Sequence, residues 1–230
     1  MKNLLLSGIA LLLFMSIFYQ SNSTIQTPVL PAAITSYIDT LHQDEQPVKF
    51  VVDQKKGFVY WLTFAGGLHA IRQDGNDHTY LNQKNDAWKD ITFIEDFCVS
   101  ETQDRLYFTD LMDLQTGQSA IKVTDAEGKI EVVANLAHEI PYHISLSADE
   151  EMLFFLSKTD IQGTPYFRLR FLDFKEGTKG TLYSSLSKID SLSYDNTTQK
   201  VNIRNKRQEL FTFSTDLQKM MGLAESFKHY

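Results

Sequence analysis

The stretch Gly57-Phe58-Val59-Tyr60-Trp61 decides the fold, because its apolar and aromatic pattern returns three more times at nearly constant spacing. The later copies begin at Leu106, Leu153 and Val201, at intervals of 48, 47 and 48 residues (106 − 58, 153 − 106, 201 − 153). Repeats of this length are typical of chains in which one supersecondary unit stacks on the next. Four such units are therefore expected.

Within each repeat, short apolar segments alternate with polar turns, which is the pattern of β-strands. The predicted strands are 48–52, 58–64, 68–72 and 79–81; 91–99, 105–111, 120–124 and 129–133; 142–147, 152–157, 166–173 and 181–184; and 191–194, 200–204 and 209–214. The pattern predicts an all-β protein, a propeller-like array of about four four-stranded blades with short N- and C-terminal helices. Two packed antiparallel meanders are the structural alternative.

The composition changes along the chain define the expected domain organisation. Residues 1–23 are a signal peptide or signal anchor, and 24–46 are a linker with an amphipathic helix over 31–42. The repeats occupy 47–217, as units 47–90, 91–137, 138–187 and 188–217. Residues 218–230 are expected to form a C-terminal helix, because Met220, Met221, Leu223 and Phe227 follow helical spacing.

The N-terminus has the order of an export signal. Lys2 precedes an uncharged, mainly apolar run over 4–19, which is short for a spanning helix. The segment is expected either to be cleaved or to remain as an anchor. Both alternatives predict an extracytoplasmic location, whether periplasmic, secreted or luminal, with membrane contact only through this segment if it is not cleaved.

Charge and cysteine content exclude other classes. The net charge of −7 argues against nucleic-acid binding, which needs a surplus of Lys and Arg. Cys98 is the single cysteine, so no intramolecular disulfide can form, and its setting in Phe97-Cys98-Val99 predicts a buried structural thiol.

The segments Tyr60-Trp61-Leu62-Thr63 and Leu106-Tyr107-Phe108-Thr109-Asp110 resemble the YWTD-type blades of low-density-lipoprotein-receptor propellers. The chain is also similar, more loosely, to the blades of TolB-like periplasmic propellers. The resemblance covers about 48–214. It implies a binding scaffold outside the cytoplasm and transfers no catalytic residue.

One set of polar residues recurs at equivalent places in the repeats. Counting back ten residues from 106, 153 and 201 gives Asp96, His143 and Ser191, and Glu95 and Asp190 lie one step earlier than the first and third of these. If the first strand of each blade lines the central axis, Asp96, His143, Asp190 and Glu95 converge at one mouth of the channel. Such a group can hold a cation or a small polar ligand. The alternative is that these are polar residues at strand starts near water.

Two classes of function follow. The first is a non-enzymatic interaction or scaffold module that binds a protein partner, because no nucleophile elbow, Walker loop or dinucleotide fingerprint is present in the sequence. The second is a propeller hydrolase or lactonase with a divalent metal at the channel mouth. No catalytic residue, metal ligand or cofactor is assigned. The last-blade edge over 209–214 is the expected interface, unless residues 27–30 of the N-terminal arm finish that blade.

Overall fold

The segments with alternating apolar and polar residues form the strands of the molecule. The computed structural model describes residues 30–81, 88, 90–91, 93–100, 102–112, 118–125, 127–215 and 224–226. The chain divides into two units, Met1–Leu30 and Pro31–Tyr230, and all elements given below lie in the second.

Four antiparallel sheets, here called blades 1 to 4, follow one another along the chain. Blade 1 contains β1 (Pro47–Asp53), β2 (Phe58–Thr63), β3 (Leu68–Arg72) and β4 (Thr79–Tyr80). Blade 2 contains β5 (Ile94–Val99), β6 (Leu106–Asp110), β7 (Ser119–Thr124) and β8 (Ile130–Leu136). Blade 3 contains β9 (Glu139–Leu146), β10 (Met152–Ile161), β11 (Thr164–Asp173) and β12 (Thr178–Ser185), and blade 4 contains β13 (Ile189–Asp195), β14 (Lys200–Asn205) and β15 (Leu210–Ser214). The blades stand in a four-blade propeller arrangement, which confirms the predicted all-β, propeller-like fold.

The recurring apolar triplet forms part of the second strand of every blade. Neighbouring residues of a strand point to opposite faces, so one triplet serves the two interfaces of its blade. Phe154 packs in the apolar cluster between blades 3 and 4, whereas Leu153 and Phe155 pack in the cluster between blades 2 and 3. A blade in the middle of the array therefore needs apolar side chains at consecutive positions.

The first strands β1, β5, β9 and β13 pack beside one another in chain order. We call them the inner strands, since all four line a single cavity of about 380 Å³. The end where they begin, at Pro47, Ile94, Glu139 and Ile189, is called the mouth end. The other is called the far end.

A helix covers the outer face of blade 1. Helix α1 (Ala32–Ile38) is followed by a 3₁₀ helix (Gln43–Glu45) and then by β1. Ile34 and Ile38 of α1 are buried, and the ring of Tyr37 lies 6.1 Å from that of Trp61 in β2. The helix is shorter than the predicted 31–42, because the chain tightens after Ile38: the N–H groups of Thr40 and Leu41 donate to carbonyls only three residues back.

Blade 4 has one apolar and one polar face. Leu192 and Ile203 face blade 3, whereas their neighbours Ser193 and Asn202 are paired on the opposite face. Thr212 extends this polar face and donates from its hydroxyl to Asn202 at 2.8 Å. A terminal repeat with a polar outer face needs no further blade to cover it.

The C-terminal helix prediction is wrong for the three of its residues that are described. Ala224–Ser226 forms strand β16, which pairs with Thr178–Gly180 at the outer edge of β12. An unpaired strand edge offers more backbone hydrogen bonds to a short segment than an isolated helix end does. The remaining residues of the predicted helix, like the signal segment over 1–23 and residues 27–29 of the arm, lie outside the described residues. In the part of the chain that is described, no helix is long and apolar enough to cross a membrane.

Candidate functional site

All four inner strands carry a β-bulge close to the mouth end. The register shifts after Pro47 in β1, after Ile94 in β5, at Tyr142 in β9 and after Ile189 in β13. Bulges re-aim nearby side chains and are frequent beside functional sites. Beside these bulges lie four residues spaced by 47 positions, here called the inner-strand cluster: Lys49, Asp96, His143 and Asp190.

Asp96 is the centre of the cluster and is 4% exposed. Lys49 donates from Nζ to Asp96 Oδ1 and, at 2.6 Å, to the carbonyl oxygen of Phe97. The backbone N–H groups of Phe97 and Ile144 donate to the two carboxylate oxygens of Asp96 at 2.8 and 3.0 Å. Asp96 therefore ties blade 1, blade 2 and blade 3 together near the axis.

His143 continues the cluster into blade 4. Its Nδ1 lies 3.4 Å from Asp96 Oδ2, and its Nε2 donates to the backbone carbonyl of Asp190 at 3.1 Å. Because a carbonyl oxygen can only accept, Nε2 carries a hydrogen. The Asp190 carboxylate instead faces Lys188, with 3.9 Å between Oδ1 and Nζ, so Asp190 joins the cluster through its backbone.

The charges of the cluster are matched to one another. Burial alone would raise the pKa of Asp96, but the ammonium of Lys49 and the imidazole of His143 together lower that pKa to about 2. Partial burial of Glu95 raises the pKa of its carboxyl, and His143 opposes this effect. Asp96 is thus a carboxylate at neutral pH.

Of the predicted residues, the structure brings the side chains of Asp96 and His143 together, whereas Asp190 joins them through its backbone carbonyl and Glu95 precedes Asp96 in β5. Binding of an ion or ligand by these four stays a prediction. Lys49 was missed, because counting back ten residues from Phe58 gives Val48. Counting in steps of 47 from Asp190 through His143 and Asp96 would have found Lys49 directly (190 − 47, 143 − 47, 96 − 47).

The cluster already contains a cation at its centre. The Lys49 ammonium lies against Asp96 and the Phe97 carbonyl, two oxygens that a metal ion would otherwise use. Among the described residues, no group of three or more His, Cys, Asp or Glu side chains is arranged to hold a metal ion. His143 Nε2 is held by a carbonyl rather than by a hydroxyl or thiol, which is not the arrangement of an activated nucleophile. The geometry favours a clamp between blades.

The central cavity lies next to this cluster and extends toward the far end. Lys49 and Cys98 both line it, and Cys98 is half-buried against the apolar cluster between blades 2 and 3. Burial raises the pKa of the Cys98 thiol, which keeps it protonated at neutral pH. This agrees with a structural thiol, although the side chain is not fully buried.

A second feature is the outer edge of blade 4. In the described part of the chain, β15 pairs with β14 on one side and with no strand on the other. The backbone N–H of Asn205 donates to the carbonyl of Glu209, and hydrogen-bonded pairs alternate along an antiparallel ladder. The N–H and C=O groups of Phe211 and Phe213 therefore point toward β14. Those of Leu210 and Thr212 point away from the sheet. The edge is held firmly, because the rings of Phe211 and Phe213 pack 5.1 and 5.7 Å from that of Tyr183 in blade 3.

Comparisons with solved structures show the same fold. The chain aligns with the Malassezia sympodialis allergen Mala s 1 at a TM-score of 0.52 and 9% identity, over 74% of this chain and 60% of that one. It aligns with oligogalacturonate lyase in complex with manganese at 0.50 and 15% identity, over 77% and 51% of the two chains. It aligns with TolB from Acinetobacter baumannii at 0.50 and 15% identity, over 74% and 41%.

These likenesses support a β-propeller, and at such identities they show the fold alone. The chain spans between two fifths and three fifths of the length of these three structures. No family model and no curated protein matches the sequence. The resemblance to YWTD-type blades in particular stays a prediction.

Proposed function

We propose that this chain is a non-enzymatic, extracytoplasmic interaction module that binds a polypeptide partner by strand addition to the outer edge of β15. The observation that carries the proposal is that edge. It offers the outward peptide groups of Leu210 and Thr212 on a strand fixed by two packed phenylalanines. An exposed edge of this kind is a template for pairing with another chain. The location outside the cytoplasm is supported by the Lys2 and apolar-run order of the N-terminus.

The alternative function, a hydrolase or lactonase with a divalent metal, receives less support from the site. One of the structural neighbours is a lyase in complex with manganese, but its 15% identity carries the fold only. In this chain the buried carboxylate near the axis is neutralised by Lys49 and by two backbone N–H groups. A metal would have to displace that ammonium before it could use Asp96.

The test changes one outward N–H. Thr212→Pro removes the donor that an added strand would use, and proline is tolerated on an edge strand when its nitrogen faces away from the sheet. Thr212→Val is the matched control, because it removes the hydroxyl bond to Asn202 and keeps the N–H. Partners captured from the native envelope on the full chain should be retained by Thr212→Val and lost by Thr212→Pro.

Equal capture by the two variants would refute strand addition. Metal analysis of the full chain tests the alternative at the same time. One tightly bound divalent ion per chain, lost in Asp96→Asn, would replace the scaffold proposal with the hydrolase.

A further inference from the structure

The two ends of the blades differ in polarity. The large hydrophobic side chains that are exposed within the described residues all lie at the mouth end, among them Phe64 at 83% exposed and Leu186 at 63%. The turns at the far end consist mainly of Asp, Glu, Lys, Thr and Gly. Clustered exposed apolar side chains mark interaction surfaces more often than isolated ones do. The mouth end is therefore the end where a partner gains most from contact.

Two loops meet at this end: the loop that links blade 3 to blade 4 and the β14–β15 loop of blade 4. The backbone N–H of Lys206, between β14 and β15, donates to the carbonyl of Lys188, between β12 and β13, at 3.2 Å. Leu186, two residues before Lys188, and Leu210, four residues after Lys206, flank this contact and are 63% and 54% exposed. We call this corner the blade-4 patch; it consists of Leu186, Lys188, Arg204, Lys206, Arg207 and Leu210.

The charge of the blade-4 patch is opposite to that of the whole chain. Arg204 is paired with Leu210 across β14 and β15, and Lys188, Lys206 and Arg207 are exposed. Two carboxylates lie beside these four cations: Asp190, which faces Lys188 at 3.9 Å, and Glu209, which accepts from the Asn205 amide at 2.6 Å. Three of the four cations lie close together in the sequence, and the fold adds Lys188 to them, so this corner is cationic on a protein of net charge −7.

We infer that the blade-4 patch recognises an acidic segment with apolar side chains in a polypeptide partner. The inference rests on the proposed strand addition, because Leu210 is both the first residue of β15 and a member of the patch. A strand that pairs along β15 continues from Thr212 past Leu210 onto the patch. Its alternate side chains reach the cations and leucines there, which specifies the partner and its register.

The probe is a displayed library of random twelve-residue peptides, panned on the immobilised full chain. Peptides enriched on the parent should carry Asp or Glu together with Leu, Ile or Phe. Their affinity, measured by fluorescence anisotropy, should fall about tenfold or more in the triple variant Lys188→Glu, Lys206→Glu, Arg207→Glu. The charge-matched control Lys55→Glu, Lys129→Glu, Lys175→Glu alters far-end turns of blades 1, 2 and 3 and should leave the affinity unchanged.

The outcomes separate this inference from the proposed function. Enriched peptides that are neutral or basic, or that bind the triple variant as well as the parent, overturn the patch while leaving strand addition to be judged by Thr212→Pro. Peptides lost in the triple variant but bound by Thr212→Pro support the patch and overturn strand addition.

Three further results would overturn the inference. If no peptide is enriched, both proposals fail. Vesicles of phosphatidylglycerol that bind the parent more tightly than the triple variant, without any enriched peptide, would assign the patch to an anionic lipid surface. Light scattering shows whether the acidic far end of a second copy is the occupant instead, since the triple variant would then abolish self-association of the parent.

Discussion

The Oδ2 atom of Asp96 accepts a 3.0 Å hydrogen bond from the backbone N–H of Ile144, which lies 48 residues further along the chain. This bond joins two inner strands that share no ladder hydrogen bonds, since β5 and β9 belong to different sheets. Together with the Lys49 contact on Oδ1, it makes one buried carboxylate a junction of three blades.

Replacing Asp96 by Asn should therefore lower the free energy of unfolding by about 3 kcal/mol. The amide keeps the shape of the carboxylate but leaves the Lys49 ammonium without its counter-charge. Urea unfolding of the two proteins measures the difference. Asp190→Asn is the control and should change stability by less than about 0.5 kcal/mol, since that carboxylate is only near Lys188. Equal unfolding of Asp96→Asn and the parent would show that the clamp contributes nothing.

The same carboxylate predicts a loss of stability in acid. Its folded-state pKa of about 2 lies below the ordinary value of 3.8. The stabilisation is therefore fully present above pH 3.8 and is lost as the pH falls toward 2. In that window, the stability of Asp96→Asn should depend less on pH than that of the parent. Identical pH profiles would contradict the assignment.

A buried histidine beside an exposed one predicts a second, separate pH window in which stability changes. His69 is 4% exposed, its Nδ1 lies 3.1 Å from His78 Nε2, and its ring stacks between those of Trp61 and Tyr80. Burial and the neighbouring His78 lower the pKa of His69 from 6.5 to about 4, against the opposing effect of Glu45. Tyr37 of α1 also faces the pair, since its ring lies 5.1 Å from that of His78.

Between pH 6.5 and pH 4 the unfolded chain binds a proton at His69 that the folded chain does not, so stability falls as the pH is lowered. The loss amounts to up to about 3 kcal/mol across the window. Urea unfolding at several pH values should show that the free energy of unfolding changes less with pH in His69→Phe than in the parent. His138→Asn changes an exposed histidine and should keep the parent slope. If both variants showed the pH dependence of the parent, His69 would be ruled out as the cause of the loss of stability.

Features that depend on neighbouring residues could be predicted from the sequence, whereas features that depend on residues far apart in the chain could not. The strands were predictable because Phe58, Leu106, Leu153 and Val201 repeat a local pattern, and each lies in the second strand of its blade. The bulges were not, since a bulge depends on the partner strand. Counting from Phe58 missed Lys49 by one position for another reason: Val59, rather than Phe58, pairs with the residue seven positions earlier, as Leu106 does, and is therefore the equivalent start.

Two other features were not predicted because they depend on pairing or contact between different segments of the chain. Strands β10 and β11 extend to Ile161 and Thr164, beyond the predicted 157 and 166, because the backbone stays paired across a hairpin whose residues lack the apolar alternation of a half-buried strand. The blade-4 patch could not be predicted in full, because the basic residues at 204–207 are joined by Lys188 only through a tertiary contact.

Two phenylalanines give a direct test of the repeat pattern. Phe154 is fully buried between blades 3 and 4, whereas Phe64 at the mouth end is 83% exposed. Phe154→Ala should cost about 3–5 kcal/mol and strongly lower the melting temperature. Phe64→Ala removes the same atoms from a surface position and should cost less than about 0.5 kcal/mol. A similar melting temperature for both variants would mean that the triplets are not core residues.

The last prediction concerns how the first blade is covered. Trp61 is fully buried, and the ring of Tyr37 in α1 packs near its indole. The buried residues Ile34 and Ile38 lie on the same stripe of this helix as Tyr37. Ile34→Asp places a charge in that buried stripe and should detach α1 from blade 1. The indole of Trp61 would then meet water, and its fluorescence emission should shift to longer wavelength.

The second tryptophan, Trp88, is buried in the cluster between blades 1 and 2 and reports on global unfolding instead. Comparing Ile34→Asp in a Trp88→Phe background with Ile34→Asp in a Trp61→Phe background separates the two signals. A shift confined to the background that retains Trp61 means that α1 has left while the blades remain packed. A shift in both backgrounds means that the blades unfold when α1 is detached. No shift in either background would show that α1 does not shield Trp61.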